Sequence, residues 1–297
     1  MVDHAERFAV VVFDRVFDTT PKQEVIALDT LIAGLLRFEV KREVHRNQRR
    51  EVRRIHDNYD KWRTGEDWAG RIWRRLRTAE HAARANGEDI NLAVKAKVDR
   101  LLKDAKGLAK KELRIWSPAL YQEGKRRESQ YVQHLSCLVL DYDEGMPIEW
   151  ATDAWSDHLH VVHTTFSHTT ETPKFRIALP LAHPVLAEDW PVFWSWAQHR
   201  SGMAIDPAPC APSSTFALPA TPDEGALRIA QVNPGRLLDP LNDSPITRTD
   251  VVPPLRVTNP HSHFHGGAPD HTYIEVPRSL DPLDDPDALE DAFEDMF

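Results

Sequence analysis

Apolar and polar positions divide the chain into three regimes. Residues 7–13 are apolar almost without a break and predict a buried strand. After Thr19-Thr20-Pro21, apolar positions at Val25, Leu28, Leu31, Ile32 and Leu35 recur at spacings of three and four, which predicts a helix. From Lys41 to about Leu113 the periodicity is helical throughout. Gly65 and Asn86-Gly87 interrupt it, so three helices are expected.

From Ser136 the elements become short and alternate in type. Ser136–Tyr142 reads as a strand, and Pro147–Asp157 as a helix with proline near its start. His160–Phe166 is a second strand, joined by the polar turn Ser167–Pro173 to a hairpin partner at Lys174–Leu179. Leu186–Arg200 is a second helix, with Trp190, Phe193, Trp194 and Ala197 on one stripe and Gly202 as its stop. Extended pieces follow at Ala204–Asp206 and Thr215–Leu218. The order β-α-β-β-α-β is that of an RRM-like, ferredoxin-like sheet, so the expected class is α+β. After about Leu238 the chain is rich in Pro, Asp and Asn with little periodicity. Its last 17 residues hold 8 acidic and no basic side chains, so a disordered acidic tail is expected. The resulting division is 1–40, a basic helical insertion over 41–113, an αβ core over 114–238, and a tail over 239–297.

Composition narrows the setting. With 297 residues, 41% of them hydrophobic, a sizeable core is expected. The longest apolar runs fall far short of the roughly 18–20 residues of a membrane span. Asp3, Glu6 and Asp14 among the first apolar residues do not fit a signal peptide. Two cysteines, Cys137 and Cys210, exclude a disulfide framework and a four-cysteine zinc site. A soluble, cytoplasmic protein without membrane contact is the expectation. The net charge of −9 hides an asymmetry, because residues 41–130 carry +11 and residues 131–297 carry −17. The basic block reads either as a polyanion-binding module or as a solvated, salt-bridged helical face. Trp62, Trp68 and Trp73 within it either pack the helices or stack bases.

Candidate chemistry is concentrated at the strand Leu138-Val139-Leu140-Asp141-Tyr142-Asp143. Side chains two apart on a strand share a face, so Asp141 and Asp143 aim two carboxylates at one point. Mg²⁺ and Mn²⁺ want such oxygen ligands, and two-metal phosphoryl transfer needs carboxylates of this kind. His168, Lys174 and Arg176 flank the hairpin turn and are expected to face those carboxylates, or else to reflect plain alternation on an exposed strand. Cations and a histidine there suit a triphosphate. Asp206, closing Met203-Ala204-Ile205, supplies a third carboxylate if that segment pairs beside the first strand.

These motifs resemble the archaeo-eukaryotic primase superfamily, in particular bacterial and mobile-element primase-polymerases. Asp141-Tyr142-Asp143 resembles its Asp-hydrophobic-Asp pair, Phe166-Ser167-His168 the end of its second motif, and Asp206 its third. The resemblance implies Mg²⁺ or Mn²⁺ on Asp141, Asp143 and Asp206. It places His168, Arg176, Lys174 and Ser167 on an incoming nucleoside triphosphate, and single-stranded DNA as template. It covers residues 114–219, and residues 7–37 more loosely. One departure is that no basic residue stands between Asp206 and Leu218-Pro219, where members often place an arginine. With no phosphate-cradling Gly-x-x-x-x-Gly-Lys loop, a helicase is expected as a separate partner. The acidic tail is a candidate dock for it or for a single-stranded-DNA-binding protein.

Two other function classes fit parts of the sequence. One is a nucleic-acid-binding adaptor that keeps the sheet without the activity. The other is a nicking enzyme of the His-hydrophobic-His type on His158-Leu159-His160, for which the tyrosine nucleophile after residue 142 would be Tyr273. His261, His263 and His265 form a further histidine-rich segment, which reads as an adventitious transition-metal site in a Pro/Gly-rich loop.

Overall fold

The computed structural model describes residues 7–248; the acidic tail proper, Tyr273 and the histidines at 261–265 lie outside them. The chain forms β1 (Arg7–Phe13), β2 (Lys22–Ala27), α1 (Leu28–Leu36) and β3 (Glu39–Val40). Three helices follow: α2 (Arg42–Thr64), α3 (Arg71–Asn86) and α4 (Ile90–Lys111). The rest comprises β4 (Ile115–Ser117), β5 (Ala119–Tyr121), β6 (Val132–Tyr142), α5 (Ile148–Asp153), β7 (His160–Thr164) and β8 (Phe175–Leu186). It ends with α6 (Trp190–Arg200), β9 (Phe216–Ala217), β10 (Ala220–Thr221), β11 (Ala230–Asn233) and α7 (Pro240–Asp243). The class is mixed α+β, with two larger antiparallel sheets.

The five-stranded sheet runs β11-β7-β8-β6-β5, so the β7–β8 hairpin lies directly beside β6. Alternation along β6 decides its two faces. Leu138, Leu140 and Tyr142 join Ile177 and Leu179 of β8 in one core with Trp155 and with Trp190, Phe193 and Ala197 of α6. Cys137 and Val139 face the other way, with Val161 and Ala178, onto Phe8, Val10 and Val12 of β1 and Leu31 and Leu35 of α1. Both faces of β6 are therefore covered, which is why it reads as a continuous apolar run. Fully burying each large side chain contributes about 1.5–3 kcal/mol. The four-stranded sheet, ordered β2-β1-β4-β9, forms the opposing layer.

The helical block is a three-helix unit with its own core of Ile55, Ile72, Leu76, Val94, Val98 and Leu101. Its breaks fall at the expected glycines. Gly65 and Gly87 cap α2 and α3 at φ 73° and 71°, a left-handed conformation that glycine adopts without steric cost.

Several expectations change. Val25 belongs to β2 rather than to a helix, because residues 22–27 pair with β1, Val25 opposite Ala9 and Ile26 opposite Phe8. The helical spacing from Val25 arises because an edge strand and a helix follow each other without a loop. The helix expected from Leu186 starts at Trp190, since Leu186 still pairs with His134 in a β8 of 12 residues. Ala204–Asp206 is no strand; one bond, Asp206 N–H to Asp141 O at 2.8 Å, holds it beside β6. Residues 239–248 are not the start of an irregular tail. Asp243 accepts from Arg236, and Ile246 and Leu238 are buried in the core of β6 and β8.

Candidate active site

On the face of β6 turned toward β1 and α1, the apolar side chains stop at Val139 and Asp141 takes the next position. Asp141 stands opposite Arg176 of β8, and Arg176 stands opposite His163 of β7, so one rung of the sheet carries acid, cation and imidazole. Arg176 donates from Nε and Nη2 to Asp141 Oδ2 at 3.2 and 3.0 Å, and from Nη1 to the carbonyl of Ala217 at 3.0 Å. Its guanidinium also lies 5.8 Å from the Phe216 ring centroid. Side-chain exposures of 11% for Arg176 and 13% for Asp141 make this a mostly buried pair. A charge-assisted bond of this kind is strong only because both partners are desolvated together.

Two residues on, Asp143 follows the end of β6. Lys174 Nζ approaches its Oδ1 to 3.9 Å, and both side chains are about a quarter exposed. His168 is held by the hairpin turn. Its N–H donates to Thr165 O at 3.0 Å, and its Nδ1 accepts from the Lys174 N–H at 3.1 Å. An imidazole whose Nδ1 accepts carries its proton on Nε2. That Nε2 is buried and has no partner. Burial lowers the His168 pKa, which keeps the ring neutral and Nε2 a donor. Ser167 is exposed on the same turn.

Asp141 Oδ1 is likewise buried without a hydrogen-bond partner. A carboxylate oxygen left in this state suits a cation, so Asp141 and Asp143 fit a divalent metal in donor type. Asp206 is brought to Asp141 by backbone, while its Oδ1 accepts from the Ala208 N–H at 2.9 Å. Among the described residues no three His, Cys, Asp or Glu side chains already form a metal-sized cluster. The backbone of Asp206 is therefore beside Asp141, but the three expected carboxylates do not form such a cluster, and Arg176 is the cation on Asp141.

Sequence reasoning missed two participants, His163 and Ala217, and gave Phe166 only as part of a motif. His163 is fully buried beside Arg176, and burial with the neighbouring guanidinium lowers its pKa to about 3. Its face was available from the alternation of Val161 and His163, but its place on the Asp141 rung came only from the register of β7 against β8. Ala217 anchors Arg176 through its carbonyl, which no side-chain pattern reveals. Phe166 is buried with Leu113, Ala220 and Val44, two residues before His168. Of the alternative motif, His158 and His160 are 1% and 0% exposed. His158 Nε2 meets Asp243 at 3.2 Å, and His160 Nδ1 meets the His158 carbonyl at 2.8 Å. They are core histidines, not a surface metal pair.

No protein-family model matches the chain, and no curated protein matches it in sequence. Among solved structures, the AEP domain of the cyanophage S-2L primase-polymerase (PrimPol) is similar at 15% identity and a TM-score of 0.32. The likeness covers 46% of this chain and 70% of that one. No helix among the described residues is long and apolar enough to cross a membrane.

Proposed function

We propose that this chain is a metal-dependent nucleotidyltransferase that builds a DNA strand on a single-stranded template, as a primase, a polymerase or both. The observation that carries the reading is the rung Asp141–Arg176 with Asp143–Lys174 beside it: carboxylates meet cations in two neighbouring pairs, and Asp141 Oδ1 and His168 Nε2 stay unpaired. The motif resemblance of residues 141–143, 166–168 and 206 agrees with it.

In this reading Asp141 and Asp143, with Asp206 beside them, would hold Mg²⁺ or Mn²⁺, which when bound would supply charge to lower the pKa of a 3′-hydroxyl and to neutralise a leaving pyrophosphate. Arg176 and Lys174 bind the triphosphate. His168 donates from Nε2 to a phosphate oxygen without adding charge, since the neutral ring keeps its proton through Nδ1. Ser167, exposed on the turn, lies where it can reach the same group. Arg176 has a second task, holding the Asp141 carboxylate in line through its bond to Ala217.

The nucleic-acid-binding adaptor is the second reading, and one observation favours it: the carboxylates do not converge on a common point. One experiment separates the two. Nucleotide incorporation is measured on single-stranded DNA with Mg²⁺ or Mn²⁺, with and without a primer, for wild type, Asp143→Asn and Asp141→Asn/Asp143→Asn. The enzyme reading expects metal-dependent product that the double variant loses. Because Asp141→Asn also leaves Arg176 mostly buried without its anion, Asp143→Asn alone is the arm expected to lose product with its melting temperature kept. Wild type that binds DNA but makes no product overturns it in favour of the adaptor.

A further inference from the structure

The helical unit is not attached at random. The start of α2 packs on the loop that carries His168: Val44 lies against the buried Phe166, and the His45 ring meets the Phe166 ring edge-on at 6.4 Å. The entry to α2 is pinned as well, since β3 pairs with β10 and Arg42 donates to Glu224 at 2.7 Å. A cleft of about 580 Å³ lies at this base, with Lys41, Arg42, Arg114, Glu112 and Glu224 on its wall. The Arg114 backbone carbonyl accepts from the Leu218 N–H, next to the Ala217 that anchors Arg176, so the cleft borders the candidate site.

Directly after this anchor, α2 carries Arg46, Arg50 and Arg53, all exposed. At about 100° per residue they fall within an arc of about 60°. Glu51 lies off this arc and is bound by Arg71 at 2.6 Å, while Glu43 and Asp57 fall on it or at its edge, three residues before Arg46 and four after Arg53, so the stripe is arginine-rich between two acidic ends. From Arg46 to Arg53 the helix rises about 10 Å, room for roughly two or three successive phosphates. Further along, Trp68 is 48% exposed, with Lys61 Nζ 3.3 Å from its ring centroid. A half-open indole can stack an unpaired base, which favours a single strand over a duplex.

We propose that the Arg46–Arg50–Arg53 face of α2 is the track on which single-stranded nucleic acid is held as it enters the Asp141–Arg176 site. Entry into that site rests on the nucleotidyltransferase reading; the track itself does not. The α2–Phe166 contact then sets the angle between strand and His168, because the same residues seat the helix and the loop.

The test is binding of a fluorescent single-stranded oligonucleotide by the full chain, without nucleotide or divalent metal, across a salt series. Wild type, Arg46→Glu/Arg50→Glu and the control Lys95→Glu/Arg100→Glu on α4 are compared. The control makes the same charge change on exposed residues of the same helical unit. The α2 variant is expected to bind roughly 10–30-fold more weakly at 0.1 M salt, with a log–log salt slope smaller by about 1.4, for two lost phosphate contacts. The control is expected to stay close to wild type. Equal losses in both variants, or no loss in the α2 variant with its melting temperature unchanged, overturn the track. Polyglutamate displacing the oligonucleotide at equal charge concentration also overturns it, in favour of an acidic protein partner. The two readings fail separately: inactive wild type that still binds through α2 sinks only the enzyme reading, and active wild type with α2-independent binding sinks only the track.

Discussion

Arg176 binds Asp141 from the neighbouring strand and, with its third nitrogen, the carbonyl of Ala217 in the opposing sheet. One guanidinium thus ties the two layers together at the candidate site, as Ser136 Oγ to the Ala9 carbonyl and Gln23 to the Tyr121 backbone do elsewhere. The same residue is therefore both a candidate triphosphate ligand and a structural bolt, and its removal has two separable consequences.

Arg176→Met leaves the Asp141 carboxylate mostly buried without a cation and is expected to destabilise the fold by about 3 kcal/mol. Asp141→Leu/Arg176→Met recovers most of that loss, because two apolar groups need no partner there. Urea unfolding of the two single variants and the double variant measures the coupling. A double variant as unstable as the sum of the singles contradicts a direct pair.

Stability is expected to fall as pH drops below about 6.5. His158, His160, His163 and His168 all have folded pKa values lowered chiefly by burial, His163 to about 3. The unfolded chain binds protons that the folded chain refuses, so unfolding is favoured between the unfolded value near 6.5 and the folded value. Each such histidine contributes a slope of up to about 1.4 kcal/mol per pH unit in that window. Urea midpoints between pH 7 and 4.5 for wild type and His163→Leu test this: the variant should lose part of the slope.

Gly235 approaches the chain before β7 so closely that an added Cβ would lie 2.5 Å from the His158 carbonyl carbon and 2.7 Å from the Leu159 nitrogen. Both are backbone atoms and cannot swing aside. Gly235→Ala is expected to cost roughly 2 kcal/mol or more and to strain the bond from Leu159 N–H to Arg236 O. Thermal melting gives the cost; a melting temperature equal to wild type would show that the two segments separate freely.

The two cysteines should react at very different rates. Cys210 is exposed, whereas Cys137 is fully buried on β6 and burial raises its thiol pKa far above the ordinary range. A thiol reagent should modify one group per chain in native protein and both in denaturant. Fast loss of both groups under native conditions would mean that β6 opens readily.

Local pattern carried much of this architecture. The alternation of Leu138, Leu140 and Tyr142 with Val139 and Asp141 sufficed to place Asp141 on the face of Val139, opposite Leu140, because strand periodicity is a property of the backbone. Gly65 and Gly87 announced the helix ends for an equally local reason, the left-handed cap. The hairpin from His160 onward, and the adjacency of β8 to β6, followed from the order of elements.

What local pattern left open depended on partners distant in sequence. Residues 22–27 became a strand because β1 needed a hydrogen-bonded neighbour, and their apolar spacing alone could not show it. His163 became part of the site only when β8 brought Arg176 opposite it. Whether Asp141 faced a cation was decided by Arg176, 35 residues away, and the hold on that cation by Ala217, a further 41 residues along. The seat of α2 on Phe166 joins positions about 120 residues apart. The sequence by itself determined which side chains share a face, since that depends on a repeat of two or 3.6 residues. Only the tertiary structure decided which faces meet, because that choice is set by the burial of whole layers rather than by any one segment.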